Sequence, residues 1–505
     1  MDPIFEIDLA LAGKGARQAS RTLVRELKAA ILDGRLVPGT RLPATRQAGS
    51  IFRMSRNTVA EAYERLAIEG LVATRRGSGT FVADRSSQGA PARARKKAAK
   101  TRKSDVPRMN EFWLRPDVTA AMGFWQDAPV RETSRNGKAA SPPIVDFRPA
   151  LIDSRLFPHD VFRQVTVRKL RGLERKPPGF RSAQGNQGSY PLREAVARHI
   201  ALTRAIACHP DELVVTSGAQ QAFDLLARVL VRPGETSVAI EDPGYPPMRV
   251  AFAAAGARLL PVPVDAEGIC VDRIAADARV ICVCPSHQFP LGVTMSARRR
   301  RELVDYARQK GCVIIEDDYD GEFRYEGSPL EALRATSDGD VVFYVGTFSK
   351  CMLPSLRLGF VIAPEWSLRN LIAAKNCLDW HCSVPVQLAV ADFIAGGHLA
   401  RHVRKMRAIY AKRRERLLAG LRGELQRWFE PIASLYGMHV AAAAQPALDV
   451  EALARRAGLS GVHVHSLRRY FLGKETLGGL VFGFGAVDPA QIEEGLARIR
   501  KAIVR

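Results

Sequence analysis

Apolar positions in residues 16–84 recur at helical spacing. An apolar residue occupies every third or fourth position of the first predicted helix, and Gly34 ends that helix. Two more helices fit the following stretch, with a turn near Arg53 and Met54 and with Ser55 as the N-cap of the second helix. The stretch "VATRRGSGTFVA" then predicts two short strands. The apolar face of the first helix consists of Leu23, Leu27, Ala30 and Ile31.

From about residue 141 the pattern changes to apolar runs that alternate with amphipathic helices. Strands that are apolar on both faces and separated by helices are typical of a largely parallel sheet covered on both sides. We therefore predict an α/β fold for this part of the chain. The predicted strands lie in "LVVTSG", "TSVAIEDPG", "RVICVCPS", "CVIIEDD" and "VVFYVG".

The region between these two parts has no apolar periodicity. Its stretch "SSQGAPARARKKAAKTRKSD" carries seven Lys and Arg residues between Arg93 and Lys103, which indicates a self-repelling, flexible tether. The stretch "NEFWLRPDV" is more apolar and is expected to dock on one neighbouring domain or the other. The predicted domains are a compact, mainly helical domain (16–84), a basic flexible linker (85–140) and a larger α/β domain (141–505).

Charge is concentrated at the N-terminal end. The net charge of the 505-residue chain is +23, and residues 1–105 hold 21 Lys and Arg against 10 Asp and Glu. Such an asymmetry favours a module that binds phosphate groups. The sequence has neither a secretion signal nor an apolar run of membrane-spanning length, so we expect a cytoplasmic protein with no membrane partner. The eight cysteines are predicted to be reduced, and no metal site is predicted.

The third predicted helix begins with short, polar and basic side chains. Ser55, Arg56, Asn57 and Thr58 are of the types that contact base edges and phosphates when a helix N-terminus enters a major groove. The turn between the two short strands carries Arg75 and two glycines, which allow close approach to DNA. Helical hairpins are also common structural units, so this pattern alone is weak evidence.

The strings "AILDGRLVPGTRLPATR", "SRNTVAEAYERLAIEGLV" and "RRGSGTFVA" together resemble the GntR-type winged helix-turn-helix. This resemblance implies double-stranded operator DNA as a partner. The candidate DNA-binding residues are Arg46, Ser55, Arg56, Asn57, Thr58, Arg75, Arg76 and Gly77.

In the larger domain, Lys350 follows a predicted strand in "VGTFSKCMLPSLRLGF", and Asp317 ends another strand 33 residues earlier. A lysine with a deprotonated amine can form a Schiff base, and a carboxylate can pair with a protonated ring nitrogen. A surface lysine is the plain alternative. The acidic cluster "EDDYDGEF" does not fit a calcium loop, because the twelfth position of such a loop is Gly327 instead of a glutamate.

Two further segments suit a flat, phosphorylated cofactor. "VVTSGAQQAFDLLARVL" runs from a strand through Gly218, Ala219 and Gln220 into a helix whose N-terminal amides can hold a phosphate. Arg357 can supply a counter-charge, and Tyr245 in "AIEDPGYPP" can stack on a ring. Strand–helix turns of this kind are also ordinary connections.

From about Phe147 to the C-terminus, these motifs in this order resemble the fold-type I aminotransferases, which use pyridoxal phosphate. The motifs are "TSGAQQAFDLL", "EDPGYP", "SHQFPLG", "IIEDDYDGEFRY", "GTFSKCMLPSLRLG" and "GGHLARHVRKMRAIYAKRR". Joined to the winged helix, they resemble the MocR/GabR branch of GntR regulators. The expected fold of the larger domain is α/β, with a mainly parallel sheet and a smaller C-terminal α+β subdomain.

By this resemblance Lys350 is the Schiff-base lysine, Asp317 pairs with the ring nitrogen, and Tyr245 stacks on the ring. Tyr319 bonds the ring hydroxyl with help from Ser286 and His287. The phosphate is held by Gly218, Ala219, Gln220, Thr347 and Arg357.

The chain also departs from the aminotransferase pattern. Phe289 replaces an asparagine, Ala183 stands where a tyrosine is often found, and Val481 stands where a carboxylate-binding arginine is expected. Arg249, Arg468 and Arg469 remain alternatives for that arginine.

We therefore predict a transcription regulator that senses a small amine or amino acid through pyridoxal phosphate on Lys350, with at most residual transaminase half-reactions. The resemblance also implies a head-to-tail homodimer. An active aminotransferase with an accessory DNA-binding module is the alternative, and a purely structural cofactor is a third possibility.

Overall fold

The computed structural model describes residues 16–75, 78–83, 110–122, 145–175, 186–326, 331–337 and 339–504. The chain divides into two units, Met1–Met109 and Asn110–Arg505. Within the described ranges, no helix is both long enough and apolar enough to cross a membrane.

The smaller unit is built on helices α1 (Ala16–Leu32), α2 (Thr45–Ile51) and α3 (Arg56–Ile68), with strands β1 (Arg41–Leu42), β2 (Val72–Arg75) and β3 (Gly79–Val82). The strands form an antiparallel sheet in the order β1-β3-β2. Leu23, Leu27 and Ala30 of α1 are buried in one core with residues of α3, whereas Ile31 is half-buried. Ser55 caps α3 by accepting a hydrogen bond from the Thr58 amide at 3.1 Å. The predicted helices, the N-cap and the strand pair are thus confirmed.

The first α-helix of the larger unit is α4 (Pro116–Met122), and helices and strands then alternate along much of the chain. Its further described helices are α5 (His159–Arg175), α6 (Tyr190–Arg204), α7 (Ala219–Leu230), α8 (Pro246–Ala254), α9 (Ala297–Lys310), α10 (Leu368–Leu378), α11 (Val384–Ala395), α12 (His398–Arg422), α13 (Val450–Leu459) and α14 (Pro489–Val504). Its described strands are β4 (Val145–Asp146), β5 (Leu213–Thr216), β6 (Ser237–Asp242), β7 (Arg258–Asp265), β8 (Gly268–Ile269), β9 (Ala278–Val283), β10 (Val313–Asp318), β11 (Val342–Thr347), β12 (Gly359–Ile362), β13 (Phe429–Pro431), β14 (His439–Ala444), β15 (Val462–His463), β16 (His465–Ser466) and β17 (Gly479–Gly483).

Eight of these strands form the central sheet, in the order β5-β12-β11-β10-β9-β6-β7-β8. The inner strands β11, β10, β9, β6 and β7 run parallel, whereas β12 pairs antiparallel with both β11 and β5. The predicted α/β fold with a mainly parallel sheet is confirmed.

Helices cover both faces of this sheet, which explains why its strands are apolar on both sides. Ile314 on β10 packs in one core with Leu303 of α9, and the next residue, Ile315, packs in another core with Phe223 and Leu226 of α7. Because successive side chains of a strand point to opposite faces, each face of β10 has its own apolar partner.

The C-terminal part of the larger unit has a second, antiparallel sheet in the order β13-β14-β17-β16. Helix α12 packs against α14 and β13, and α13 packs against β16. This arrangement confirms the smaller α+β subdomain.

Residues 110–122 of the predicted linker are folded and belong to the larger unit. A short 3₁₀ helix, Glu111–Leu114, precedes α4, and α4 packs against α8. Val118 and Ala121 are buried there. The apolar "NEFWLRPDV" stretch therefore docks on the larger unit, while residues 84–109 and 123–144 lie outside the described ranges.

Candidate cofactor site and nucleic-acid interface

A cavity of about 900 Å³ lies where the strands β10 and β11 end, and it brings most of the predicted cofactor residues together. Eight of the eleven line it: Ala219, Gln220, Tyr245, Asp317, Tyr319, Thr347, Lys350 and Arg357. Gly218, Ser286 and His287 do not line it. Residues that are more than one hundred positions apart in the sequence therefore share one cavity.

Lys350 lies three residues beyond Thr347, the last residue of β11, and its amine points to a backbone carbonyl. Its Nζ donates a hydrogen bond to the oxygen of Ala150 at 2.7 Å. Burial lowers the pKa of Lys350 to about 8, with Asp320 and Asp317 opposing this shift and Arg357 adding to it. A substantial fraction of this amine is therefore neutral near pH 8, which is the form that attacks a carbonyl carbon.

Asp317 is buried at the end of β10. Burial, together with the neighbouring Asp318, raises the pKa of Asp317 to about 8. Its Oδ2 accepts a weak hydrogen bond from the Cys284 thiol at 3.8 Å, whereas its buried Oδ1 has no hydrogen-bond partner among the described residues. A buried polar atom without a partner is costly, so this oxygen indicates that a donor from a bound molecule completes the site.

The N-terminus of α7 forms an anion cradle at another edge of the cavity. Gly218 is the N-cap residue with φ +82°, and no side chain caps the helix. The Arg357 guanidinium is held over this turn because its Nη2 donates to the Ser217 oxygen at 2.9 Å. A Cβ on Gly218 would lie 3.1 Å from that Nη2, so glycine suits both the backbone and the close approach. The first-turn amides of α7 and the cation together suit a phosphate.

Aromatic rings also line the cavity. The Tyr245 ring lies 5.6 Å from the Phe289 ring at an interplanar angle of 89°. Phe289 also contacts the Tyr319 ring edge-on at 5.6 Å. The phenylalanine that replaces the expected asparagine therefore packs between two cavity tyrosines instead of offering an amide.

Ser286 and His287 lie behind Tyr319. The His287 Nδ1 is 2.8 Å from the Tyr319 hydroxyl and 3.0 Å from an Asp320 carboxylate oxygen. The Ser286 hydroxyl accepts a hydrogen bond from Arg204 at 3.3 Å. His287 can thus orient Tyr319, whereas Ser286 belongs to a buried network with Arg204. His287, Asp320 and His439 also have ligand-type atoms within 4.8 Å of one another, but His287 and Asp320 are engaged with each other.

Some cavity residues carry no signal that identifies them in the sequence. Ala150, which has φ +62°, contacts Lys350 through its backbone oxygen. Every residue type has such an oxygen, so the sequence does not mark this position. Trp113 lines the cavity from the folded part of the predicted linker. The only sequence signal for Trp113 is its position in an apolar stretch within an otherwise polar linker.

The three arginines considered for an effector carboxylate do not line the Lys350 cavity. Arg249 and Arg469 line a separate cavity of about 620 Å³, and the Arg249 Nη1 donates to the Tyr470 oxygen at 2.9 Å. The Arg468 side chain is 69% exposed, and its nearest acidic partner is Glu475 at 3.7 Å.

These features fit pyridoxal phosphate. The buried Oδ1 of Asp317 needs a donor, the Lys350 amine has a lowered pKa, and the α7 turn with Arg357 suits a phosphate. Asp317, Lys350 and the α7 turn lie around one cavity that is large enough for such a molecule.

The candidate nucleic-acid interface lies on α2, α3 and the strand pair of the smaller unit. Arg46, Ser55, Arg56, Asn57 and Arg75 are exposed. Thr58 is buried, and its hydroxyl lies 2.8 Å from that of Ser55, so these two side chains help to build the start of α3. The Arg75 guanidinium lies over the Phe81 ring at 5.3 Å. Arg76 and Gly77 lie outside the described residues.

Comparison with known proteins adds two family matches. Residues 157–499 match the aminotransferase class I and II model, and residues 19–82 match the model for bacterial regulatory proteins of the gntR family. The chain is 32% identical to the probable rhizopine catabolism regulatory protein MocR of Rhizobium meliloti, over 96% of this chain and 93% of that protein. It is 30% identical to the pyridoxine biosynthesis regulator PdxR of Corynebacterium glutamicum, over 99% of both. The crystal structure of the Pyrococcus horikoshii kynurenine aminotransferase matches with a TM-score of 0.66 and 27% identity, over 72% of this chain and 91% of that one.

Proposed function

The chain belongs to the MocR-type transcription regulators of the GntR family, and on this basis we propose that an amine or amino acid entering the Lys350 cavity changes the affinity of the N-terminal domain for operator DNA. The protein is a DNA-binding regulator whose aminotransferase-like domain uses pyridoxal phosphate. The observation that carries the proposal is the single cavity that holds Lys350, Asp317 and Arg357.

When bound, pyridoxal phosphate supplies an aldehyde that exchanges amines and a ring that withdraws electrons. The neutral amine of Lys350 is the group proposed to attach it. Asp317 would keep the ring nitrogen protonated, because that proton offers the donor that Oδ1 lacks. Tyr245 would lie against the ring face, and the Tyr319 hydroxyl, oriented by His287, would bond the ring hydroxyl.

The phosphate is proposed to bind at the start of α7. The amides that follow Gly218, in Ala219 and Gln220, point out of an uncapped helix N-terminus. Arg357 adds a positive charge. The Thr347 hydroxyl, which donates to Ser349 Oγ at 3.0 Å, adds a polar group at the end of β11.

For DNA, we propose that α3 enters the major groove with Arg56 and Asn57 at base edges. Ser55 and Thr58 would fix the start of that helix, and Arg46, Arg75, Arg76 and Gly77 would contact the DNA backbone. The proposed domains are 16–84 for DNA binding and 141–505 for the cofactor, with the basic linker 85–140 between them, of which residues 110–122 fold as part of the larger unit. A head-to-tail homodimer would place two DNA-binding domains on paired half-sites.

Replacing Arg56 or Asn57 with alanine is expected to weaken operator binding by about 10- to 100-fold, which is the effect of losing a good base contact. Arg65→Ala is the matched control, because Arg65 lies in the last turn of the same helix and pairs with Glu61. It removes the same charge as Arg56→Ala and is expected to leave the affinity within about threefold. Fluorescence anisotropy with labelled operator measures both effects, and equal losses in Arg56→Ala and Arg65→Ala would contradict the proposed interface.

Selecting the operator from a random DNA pool and then titrating amines tests the whole proposal. We expect at least one small amine or amino acid to change the operator dissociation constant about fivefold or more, in step with a change in cofactor absorbance. Sustained keto-acid production, with operator affinity constant across the amine series, would instead support the aminotransferase alternative.

A further inference from the structure

The segment Asn110–Met122 connects the cofactor cavity to the chain that leads towards the DNA-binding domain. Its Trp113 and Ala121 line the Lys350 cavity, together with Lys350 and Tyr245. The same segment is continuous in sequence with residues 84–109, which follow the DNA-binding domain. One short piece of chain therefore contributes to the cavity wall and to the connection between domains.

Contacts within the segment Asn110–Met122 stabilise its local structure. The Asn110 side chain accepts a hydrogen bond from the Phe112 amide at 3.0 Å, and the Phe112 and Trp113 rings meet edge-on at 5.0 Å. The Arg115 guanidinium lies over the Phe112 ring at 5.4 Å and pairs with Asp117 at 2.7 Å. These contacts link Asn110, Trp113 and Asp117 within one short folded segment.

The segment is also fixed to the helix that presents Tyr245. Helix α4 packs against α8, which begins directly after Tyr245, and Val118 and Ala121 are buried. Trp113 itself is 47% exposed at the cavity wall. A side chain with a large apolar ring that is half open to a cavity gains contact area when a ligand fills that cavity.

We propose that Trp113 contacts the substituent of the bound amine or amino acid. The segment Asn110–Met122 then couples ligand binding in the cavity to the DNA affinity of the DNA-binding domain. This inference rests on the proposed function, since it assigns the residue through which the same cavity regulates DNA binding. A ligand shifts a two-state equilibrium only by contacts that differ between the states. The contact of the substituent with the Trp113 indole is that differential contact, so substituent size sets the strength of the response.

Two amine probes and matched variants test the proposal. In the wild type, 2-phenylethylamine is expected to change the operator dissociation constant about fivefold or more, and methylamine is expected to change it less. In Trp113→Ala the effect of 2-phenylethylamine, measured against the operator affinity of the same variant without amine, falls to within about twofold of none, while the effect of methylamine stays as in the wild type. Trp113→Phe keeps part of the response, because a ring remains. Trp366→Phe is the control, since Trp366 is exposed, bonds the Asp340 oxygen and does not line the cavity.

A second readout is independent of regulation. Bound pyridoxal phosphate quenches nearby tryptophan fluorescence, so removing it raises the emission. We expect Trp113→Phe to lose a larger share of that rise than Trp366→Phe.

The outcomes separate the two proposals. If no amine changes the operator dissociation constant of the wild type, both the proposed function and the regulatory role of Trp113 are wrong. A wild type that responds to 2-phenylethylamine, together with an equally responsive Trp113→Ala that keeps its cofactor absorbance, overturns the inference alone. Equal fluorescence losses in the two phenylalanine variants overturn the placement of Trp113 beside the cofactor.

Discussion

Lys350→Ala is expected to lose the cofactor on gel filtration and to bind operator DNA with the same affinity whether or not an amine is present. Lys350 is the lysine that lines the described cavity, and its amine is held in place by the Ala150 oxygen and kept partly neutral by burial. Without that amine the cofactor is held only by its hydrogen bonds and its phosphate contacts. The amine-dependent change in operator affinity, about fivefold or more in the wild type, should fall to none. Cofactor absorbance after gel filtration and operator anisotropy measure the two losses.

Lys310→Ala is a suitable control for this experiment. Lys310 is an exposed lysine at the end of α9, away from the cavity lining, so its loss removes one positive charge without touching the site. Operator affinity without amine should agree within about threefold between the wild type and Lys310→Ala, because Lys310 belongs neither to the DNA-binding domain nor to the cavity lining. Retention of the cofactor by Lys350→Ala after gel filtration would refute the assignment of the anchoring amine.

The sequence predicted the site residues that act through charged side chains. Lys350, Asp317 and Arg357 follow or end apolar strands, and the carboxyl ends of neighbouring strands in a parallel sheet meet at one edge. Gly218 was found for a related reason, since a glycine between a strand and a helix indicates a phosphate turn. Their convergence on one cavity follows from the order of the strands.

The sequence pattern does not predict other parts of the site and of the fold. Ala150 acts through a backbone oxygen, so its side chain gives no sign of its role. The docking of the stretch around Trp113 on a neighbouring domain was expected, but its place at the cavity depends on the contact of α4 with α8, which the sequence does not specify. Ser286 and His287 were both expected to help Tyr319 bond the ring hydroxyl, and which of them contacts Tyr319 depends on side-chain packing that sequence spacing does not specify.

The direction of β12 illustrates the same limit for the fold. An apolar run with two buried faces has the same pattern whether the strand is parallel or antiparallel. Only residues 348–358 connect β11 to β12, which is too few for the helical crossover that a parallel neighbour needs. The short connection therefore accounts for the antiparallel pairing of β12 with β11.

Asp317→Asn is expected to change two measurements in opposite directions. The cofactor loses the negative partner of its ring nitrogen, so its affinity should fall about 10- to 100-fold, as for a hydrogen bond to a charged group. In the cofactor-free protein, burial raises the pKa of Asp317 to about 8, above its ordinary value in the unfolded chain. The stability that depends on the protonated carboxyl is present below about pH 4 and is lost as the pH rises towards 8. Asparagine does not ionise, so the cofactor-free variant should be more stable than the cofactor-free wild type at pH 8, by on the order of 3 kcal/mol, and no more stable at pH 4.

Glu241→Gln separates these two effects. Glu241 is a second buried carboxyl whose pKa burial raises to about 8, and its Oε2 accepts hydrogen bonds from the Cys284 amide and the Gln288 side chain. It does not line the Lys350 cavity. This variant should therefore gain stability at pH 8 in the cofactor-free state, as Asp317→Asn does, and yet bind the cofactor within about threefold of the wild type. Urea unfolding of the cofactor-free proteins at pH 4 and pH 8 measures the stabilities, and quenching of tryptophan fluorescence measures cofactor affinity. Equal losses of cofactor affinity in Glu241→Gln and Asp317→Asn would contradict the pairing of Asp317 with the ring nitrogen. Neutralising either buried carboxyl, Asp317 or Glu241, would then have the same effect on the cofactor.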